Sequence, residues 1–134
     1  MKNQNVLYKI NTEISAEQIS ELFSKSGINR PVKDLPRIKK MFDNSNLTIT
    51  AWVGGELAGV ARALTDFCYC CYLSDLAVDK KFQHKGIGKE LVKRVRKEIS
   101  KQSMLLLLSA PQAMEYYPKI NFEKSNSAFI INRE

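Results

Sequence analysis

Apolar positions along this 134-residue chain change spacing from one segment to the next, and each spacing predicts an element. "VLYKI", Val6 to Ile10, alternates as a strand does. In "SAEQISELFSKSG" the apolar residues Ile19, Leu22 and Phe23 recur at helical intervals, with Ser15 placed to cap the helix and Gly27 to end it. Pro31 and Pro36 punctuate the next stretch, and "LPRIKKMFDNS" then gathers Leu35, Ile38, Met41 and Phe42 on one side of a short helix. "LTITAWVGGELAGVARALTD" predicts two strands turned back at Gly54 and Gly55, and "FCYCCYLSDLAV" a third. A helix comes next, from about Gly86 to about Gln102, with Ile87, Leu91, Val92, Val95 and Ile99 at helical spacing. "MLLLLSA" is short and uninterrupted, as a strand buried on both faces should be. "PQAMEYYPKI" opens as a helix at Pro111 and meets a stop at Pro118, and the tail "NFEKSNSAFIINRE" holds two more short strand candidates.

This order predicts one mixed α/β (α+β) domain over residues 1–134, with no internal repeat or low-complexity linker. The three central strands should pair antiparallel. The passage from Leu73 through Leu108 should be a right-handed crossover between two parallel neighbours, leaving its loop at the carboxyl end of the first strand, where open α/β sheets bind ligands. No run approaches the roughly 20 apolar residues that span a bilayer, and "MKNQNVLYKINTE" lacks the apolar core of a secretory signal. The expectation is a soluble, cytoplasmic protein with no membrane partner.

Charge changes the picture only when it is located. The net charge is +7, and the segment from Lys80 to Lys101 alone holds nine Lys or Arg against Glu90 and Glu98, while the rest of the chain balances. An anionic partner near that loop and helix is implied. Cys68, Cys70 and Cys71 crowd into four residues, and the single histidine, His84, stands well away in sequence. Neither a disulfide framework nor a metal site is expected, and reduced thiols on a strand are the better reading.

The loop itself, "QHKGIGK", supplies the chemistry. A helix starting near Gly86 presents unpaired N–H groups and the positive end of its dipole. Glycines let a bulky anion approach the backbone, and Lys85 and Lys89 add full charges, so the stretch reads as a phosphate or pyrophosphate cradle. No segment supplies G-x-x-x-x-G-K-[ST], which disfavours nucleotide hydrolysis. A G-x-G-x-x-G dinucleotide fingerprint fails at Leu91 and lacks its acidic residue about 20 positions on.

Gln83-His84-Lys85-Gly86-Ile87-Gly88 resembles the Q/R-x-x-G-x-G/A signature of the GNAT superfamily of acetyl-CoA-dependent N-acetyltransferases. The wider "LSDLAVDKKFQHKGIGKELVKRV" is similar to that family's motif A, and "AMEYYPKINFEK" resembles its later segment, so the likeness runs from Val6 to the last predicted strand. It implies a GNAT-like, largely antiparallel central sheet with a parallel pair splayed at the CoA site, flanked by about four helices. It further implies that main-chain N–H groups of Gln83, His84, Lys85, Gly86, Ile87, Gly88 and Lys89 grip the CoA pyrophosphate, with Gln83 closing the loop. Leu76, Ala77 and Val78 would then offer unpaired backbone to the pantetheine and the acetyl carbonyl. Tyr117 falls where the family often places the acid that protonates the departing thiolate, and Tyr116 would pack elsewhere. A phenol of pKa about 10 remains protonated at neutral pH and so can serve a thiol of pKa about 8.5.

Asn121 stands where the family has glycine before Phe122, and Asn is the next best residue for a left-handed turn. Pro118 directly after Tyr117 is a second departure. Asp75, with Asp66 behind it, is the candidate base for the attacking amine; either could instead attract a cationic acceptor or cap a turn. Trp52, Tyr69 and Tyr72 are read as sheet packing rather than an acceptor pocket, and His84 as a surface loop residue. The resemblance thus implies an acetyl-CoA:amine N-acetyltransferase working by direct transfer in a ternary complex. A small-molecule amine is expected as acceptor in preference to a protein, with a homodimer as a reasonable assembly. Two other classes compete: a nucleic-acid-binding module using residues 80–101, and a CoA-binding sensor without catalysis.

Overall fold

The computed structural model describes residues 5–134, and one five-stranded sheet organises them. The strands are β1 (Val6–Ile10), β2 (Leu47–Val53), β3 (Glu56–Thr65), β4 (Cys70–Val78) and β5 (Met104–Leu106), lying side by side in chain order. β1 to β4 pair antiparallel and β5 lies parallel to β4, as a crossover through a helix requires. The helices are α1 (Ala16–Ser26), α2 (Leu35–Asp43), α3 (Ile87–Ile99) and the single-turn α4 (Tyr116–Lys119).

Local signals explain most boundaries. Ser15 accepts from the Gln18 N–H while the Gln18 side chain takes the Ser15 N–H, a complete capping box, and Gly27 ends α1 at φ 83°. Asp34 caps α2 through the Arg37 N–H, and Pro36 sits in the first turn, where a missing donor does no harm. Gly54 and Gly55, at φ 56° and 81°, turn β2 into β3 with the two left-handed residues a tight hairpin needs.

The sheet buries both faces. On one, Ile49, Ala51, Ala61, Leu73, Leu91, Val95 and Ile99 form the larger core beneath α3. On the other, Ile19, Leu22, Phe23 and Ile38 from α1 and α2 pack over Val60 and Ala77. Gly59 is where α3 comes closest: a Cβ there would stand 3.2 Å from both the Ala77 carbonyl oxygen and Leu91 Cδ1, and 3.3 Å from Ile87 Cγ2.

One irregularity organises β4. Ala63 faces Leu73, but Arg62 faces Asp75, so Ser74 is an extra residue that breaks the two-residue alternation. Cys71 and Leu73 point into the α3 core; after the bulge Leu76 and Val78 take that side, and Asp75 stands opposite Arg62.

Several expectations about the carboxyl third are corrected. The apolar run is a strand only over Met104–Leu106, and Met104 and Leu108 are 60% and 54% exposed rather than buried on both faces. An apolar run signals burial only where a layer covers it, and β5 is the last strand of the sheet. The predicted helix from Pro111 is instead a 3-10 turn, Pro111–Ala113, followed by α4, which contains Pro118 in its first turn. The tail forms no strands, and Phe129 and Ile131 lie in solvent. Tyr69, expected to pack, is exposed ahead of β4, whereas Tyr72 sits on the sheet between Leu64 and Leu106 and Trp52 is partly buried, with Lys9 over its ring and its indole N–H on Thr50.

The close approach at Gly59 can be tested directly. Gly59→Ala should lower unfolding free energy by about 1–3 kcal/mol, since backbone and two core side chains must give way together; denaturant titration measures it.

Candidate functional site

β4 and β5 share a ladder only at Cys70, Cys71 and Tyr72, opposite Met104, Leu105 and Leu106. Beyond Tyr72 the two segments part, while β4 keeps its pairing with β3 through Val78. The backbone groups of Leu76 and Val78 point away from β3 toward the side where β5 has parted, while those of Ala77 face β3, so the Leu76 and Val78 N–H groups line the opened edge.

The basic loop leaves β4 at the same end. Asp79, buried, accepts the Lys81 N–H and starts a 3-10 turn over Lys80–Phe82 that sinks Phe82 into the core. Gln83 Nε2 donates to the Val78 carbonyl at 2.8 Å and reaches the Ser26 carbonyl at 3.5 Å, which ties the loop to β4 and to the end of α1. His84 and Gly86 both take left-handed backbone, at φ 63° and 85°. No side chain caps α3, and the first helical bond runs from the Glu90 N–H to Gly86 O, so the N–H groups of Ile87, Gly88 and Lys89 precede it. Ile87 is buried as the anchor, whereas His84, Lys85, Gly86 and Lys89 are exposed around the open helix end. A Cβ at Gly86 would meet nothing within 4 Å. Open space, free donors and lysines together suit a pyrophosphate.

The α4 tyrosines complete this side. Tyr117 lies edge-on to Tyr116 and Phe122, with ring centroids 5.4 and 5.5 Å away. Burial pushes its phenol above the ordinary value, Tyr116 adds to that, and the nearby Arg30 guanidinium pulls the other way. Asn121 does adopt the left-handed turn, φ 75°, and the Phe122 N–H closes it on the Tyr117 carbonyl. Tyr116, expected to pack elsewhere, puts its hydroxyl 2.9 Å from where a Gly88 Cβ would be, so it borders the start of α3.

Asp75 stands differently from expectation. Its side chain has no exposed surface, Oδ1 accepts from Arg30 Nε at 2.6 Å and Oδ2 from Arg62 Nε at 2.5 Å. Arg62 also donates to Ser74 Oγ and Ser45 Oγ and stacks on Phe42. Arg30 reaches the Asn29 and Ser74 carbonyls. Both carboxylate oxygens of Asp75 are thus taken by guanidinium donors and neither faces the opened edge with a free surface. Asp66, the second candidate, receives the N–H groups of Cys68, Tyr69 and Cys70, which hold its carboxyl far below the usual carboxylate range; it shapes the β3–β4 turn. Cys68 and Cys70 are exposed and Cys71 buried, all free thiols.

Sequence reading missed Arg30, Arg62, Ser74 and the reach of Tyr116. Arg62 carried a signal, a charge inside the apolar run "AGVARAL", which only a buried partner makes tolerable. Arg30, in a loop before Pro31, carried none.

A mixed sheet with parted parallel strands, and an uncapped helix over a glycine loop at the parting, suits a phosphorylated ligand laid across that edge. Residues 11–132 match the profile of the acetyltransferase (GNAT) domain, and the chain belongs to that family. It is 26% identical over 125 residues to an uncharacterized N-acetyltransferase, ycf52, of Gracilaria tenuistipitata var. liui, a match covering 88% of this chain and 67% of that one. Among solved structures, a GNAT-family acetyltransferase of Streptococcus pneumoniae aligns with TM-score 0.77 at 20% identity, over 97% of this chain and 100% of the other. An aminoglycoside N-acetyltransferase, AAC(6')-Iy, solved with CoA aligns with TM-score 0.71 at 13% identity, over 98% and 97% of the two chains. At these identities the solved structures share the fold. Among the described residues no helix is long and apolar enough to cross a membrane.

If the carboxylate between two arginines is structural, its removal must be felt throughout the fold. Asp75→Ala should cost about 3–5 kcal/mol, because it strands two guanidiniums, one of them buried; chemical denaturation reads this directly.

Proposed function

We propose that this chain moves the acetyl group of acetyl-CoA to the primary amine of a small molecule, by direct attack in a ternary complex. The observation that carries the reading is the junction of the parted β4–β5 edge with the uncapped start of α3. Main-chain N–H groups around Gly86 to Lys89 hold the pyrophosphate, and Lys85 and Lys89 add charge to it. Gln83, bonded to Val78 O, keeps the loop in register with the strand that offers backbone donors at Leu76 and Val78. Acetyl-CoA supplies an activated thioester. As the amine nitrogen forms its bond to the acetyl carbon and the carbon–sulfur bond breaks, those backbone groups receive the charge gathering on the carbonyl oxygen. Tyr117 donates its hydroxyl proton to the departing sulfur, a role its raised pKa suits. Asp75 and Asp66 are both engaged by other donors, so the acceptor reacts in the fraction that solvent has already deprotonated; the further proton its nitrogen sheds as the amide forms passes to solvent, which also returns a proton to Tyr117.

Two measurements bear on these roles. Gly86→Val places a side chain in the space assigned to the phosphates and should abolish acetyl-CoA binding by calorimetry at low salt, whereas Tyr117→Phe should bind normally and lose about 10²–10⁴-fold in kcat. Equal loss of binding in both would contradict the assignment. The pH profile is the second: with no enzymic base, kcat/KM for the amine should climb with unit slope toward the amine's own pKa, about 10, and fall only beyond it as Tyr117 ionises. A plateau below pH 8 would indicate a base that this reading lacks.

A further inference from the structure

The buried cluster under β4 is unbalanced. Two arginines face one carboxylate, and among the described residues no other acidic side chain bonds either guanidinium, so the group carries a net positive charge. Arg62 is enclosed, with its side chain 9% exposed and its donors on Asp75, Ser74, Ser45 and the Met41 carbonyl. Arg30 is the member that reaches solvent, at 26% exposure. Its five N–H donors are three-fifths used: Nε on Asp75, Nη1 on the Asn29 carbonyl at 2.7 Å and Nη2 on the Ser74 carbonyl at 2.8 Å. One N–H remains on each terminal nitrogen, and a carboxylate with two oxygens can accept both.

The position of Arg30 gives that spare fork a use. It projects from the segment between α1 and α2 onto the Ser74 bulge, two residues before the backbone assigned to the acetyl carbonyl. It is also near enough to Tyr117 for its charge to act on the phenol. An acceptor approaching the thioester over the Ser74 end of β4 would meet a fixed cation whose one carboxylate partner is already shared. We propose that Arg30 is the specificity-determining residue of the acceptor site, and that the acceptor is an amine carrying a carboxylate, held bidentately by the two free N–H groups. Polycationic amines would meet like charge at the same place. The inference rests on the acetyltransfer reading, and its test separates the two.

Acetyl-CoA binding by calorimetry comes first and examines the acetyltransfer reading alone. CoA release is then followed for a series of amino acids, each beside its carboxamide and its decarboxylated amine, with spermidine and an aminoglycoside included and rates expressed per free amine. The wild-type protein should favour carboxylate-bearing acceptors by roughly tenfold to a hundredfold, the range of a charge-assisted bond pair. Arg30→Lys keeps the charge against Asp75 but loses the fork. It should raise KM for the carboxylate acceptors about tenfold, leave their kcat and acetyl-CoA affinity within about twofold, and collapse the ratio within each matched set. A protein that binds acetyl-CoA yet treats acid, amide and amine alike, prefers the polycations, or acetylates none of the panel overturns the inference while acetyl-CoA binding survives. Because the matched ratios come from the wild-type protein, an unstable variant leaves the decision intact.

Discussion

Asp75 sits wholly out of water between the guanidiniums of Arg30 and Arg62, and the surrounding architecture meets there. Burying such ions costs several kcal/mol each unless every donor and lone pair is matched, so the neighbouring backbone must be shaped to match them. The Ser74 bulge does this: it sets Asp75 opposite Arg62, and it supplies a carbonyl to Arg30 and a hydroxyl to Arg62. Three parts distant in sequence, the α1–α2 segment, β3 and β4, are thereby joined at one point. The ion cluster defines one side of the site as firmly as the hydrophobic core defines the other.

That same bulge lies at the place where β4 leaves β5. After Tyr72 the parallel ladder ends and Ser74 shifts the phase of β4, so the strand runs on toward Val78 held by β3 alone. Gln83 then fastens the basic loop to the end of β4, and Ile87 and Leu91 pack α3 against Gly59. The helix end is aimed by core packing, while its donors are left free because Gly86 offers no capping side chain. Site and fold are thus products of the same contacts, with apolar residues setting direction and omitted side chains leaving space. The basic charge belongs to this end of the molecule, where a polyanionic donor would enter.

Much of this was legible from short-range patterns. Ser15 and Gly27 bracket α1, Gly54 and Gly55 make the hairpin, and the Gly86 to Lys89 segment announces an uncapped, basic helix start, because each depends on dihedral angles and donors within a few residues. Asn121 taking a left-handed turn belongs to the same class. The carboxyl third was misread for a complementary reason. "MLLLLSA" and "SAFII" have strand composition, but composition cannot say whether a neighbouring layer exists to cover them, and here β5 ends the sheet.

Local stereochemistry in the chain was therefore enough to settle the order of the main elements, the hairpin, the helix caps and the open helix start after the glycine loop, since those forces act over one or two turns of backbone. Tertiary structure alone decided that Asp75 lies out of water between two arginines. It also decided that Tyr116 reaches Gly88 and that Arg30, 45 residues from Asp75 in sequence, bonds its carboxylate. A one-residue bulge reverses every side chain beyond it, and no periodicity in "CYLSDLAV" marks where it falls. The identity of a charged group's partner depends on what the fold brings within about 3 Å, and that distance is a property of the folded chain.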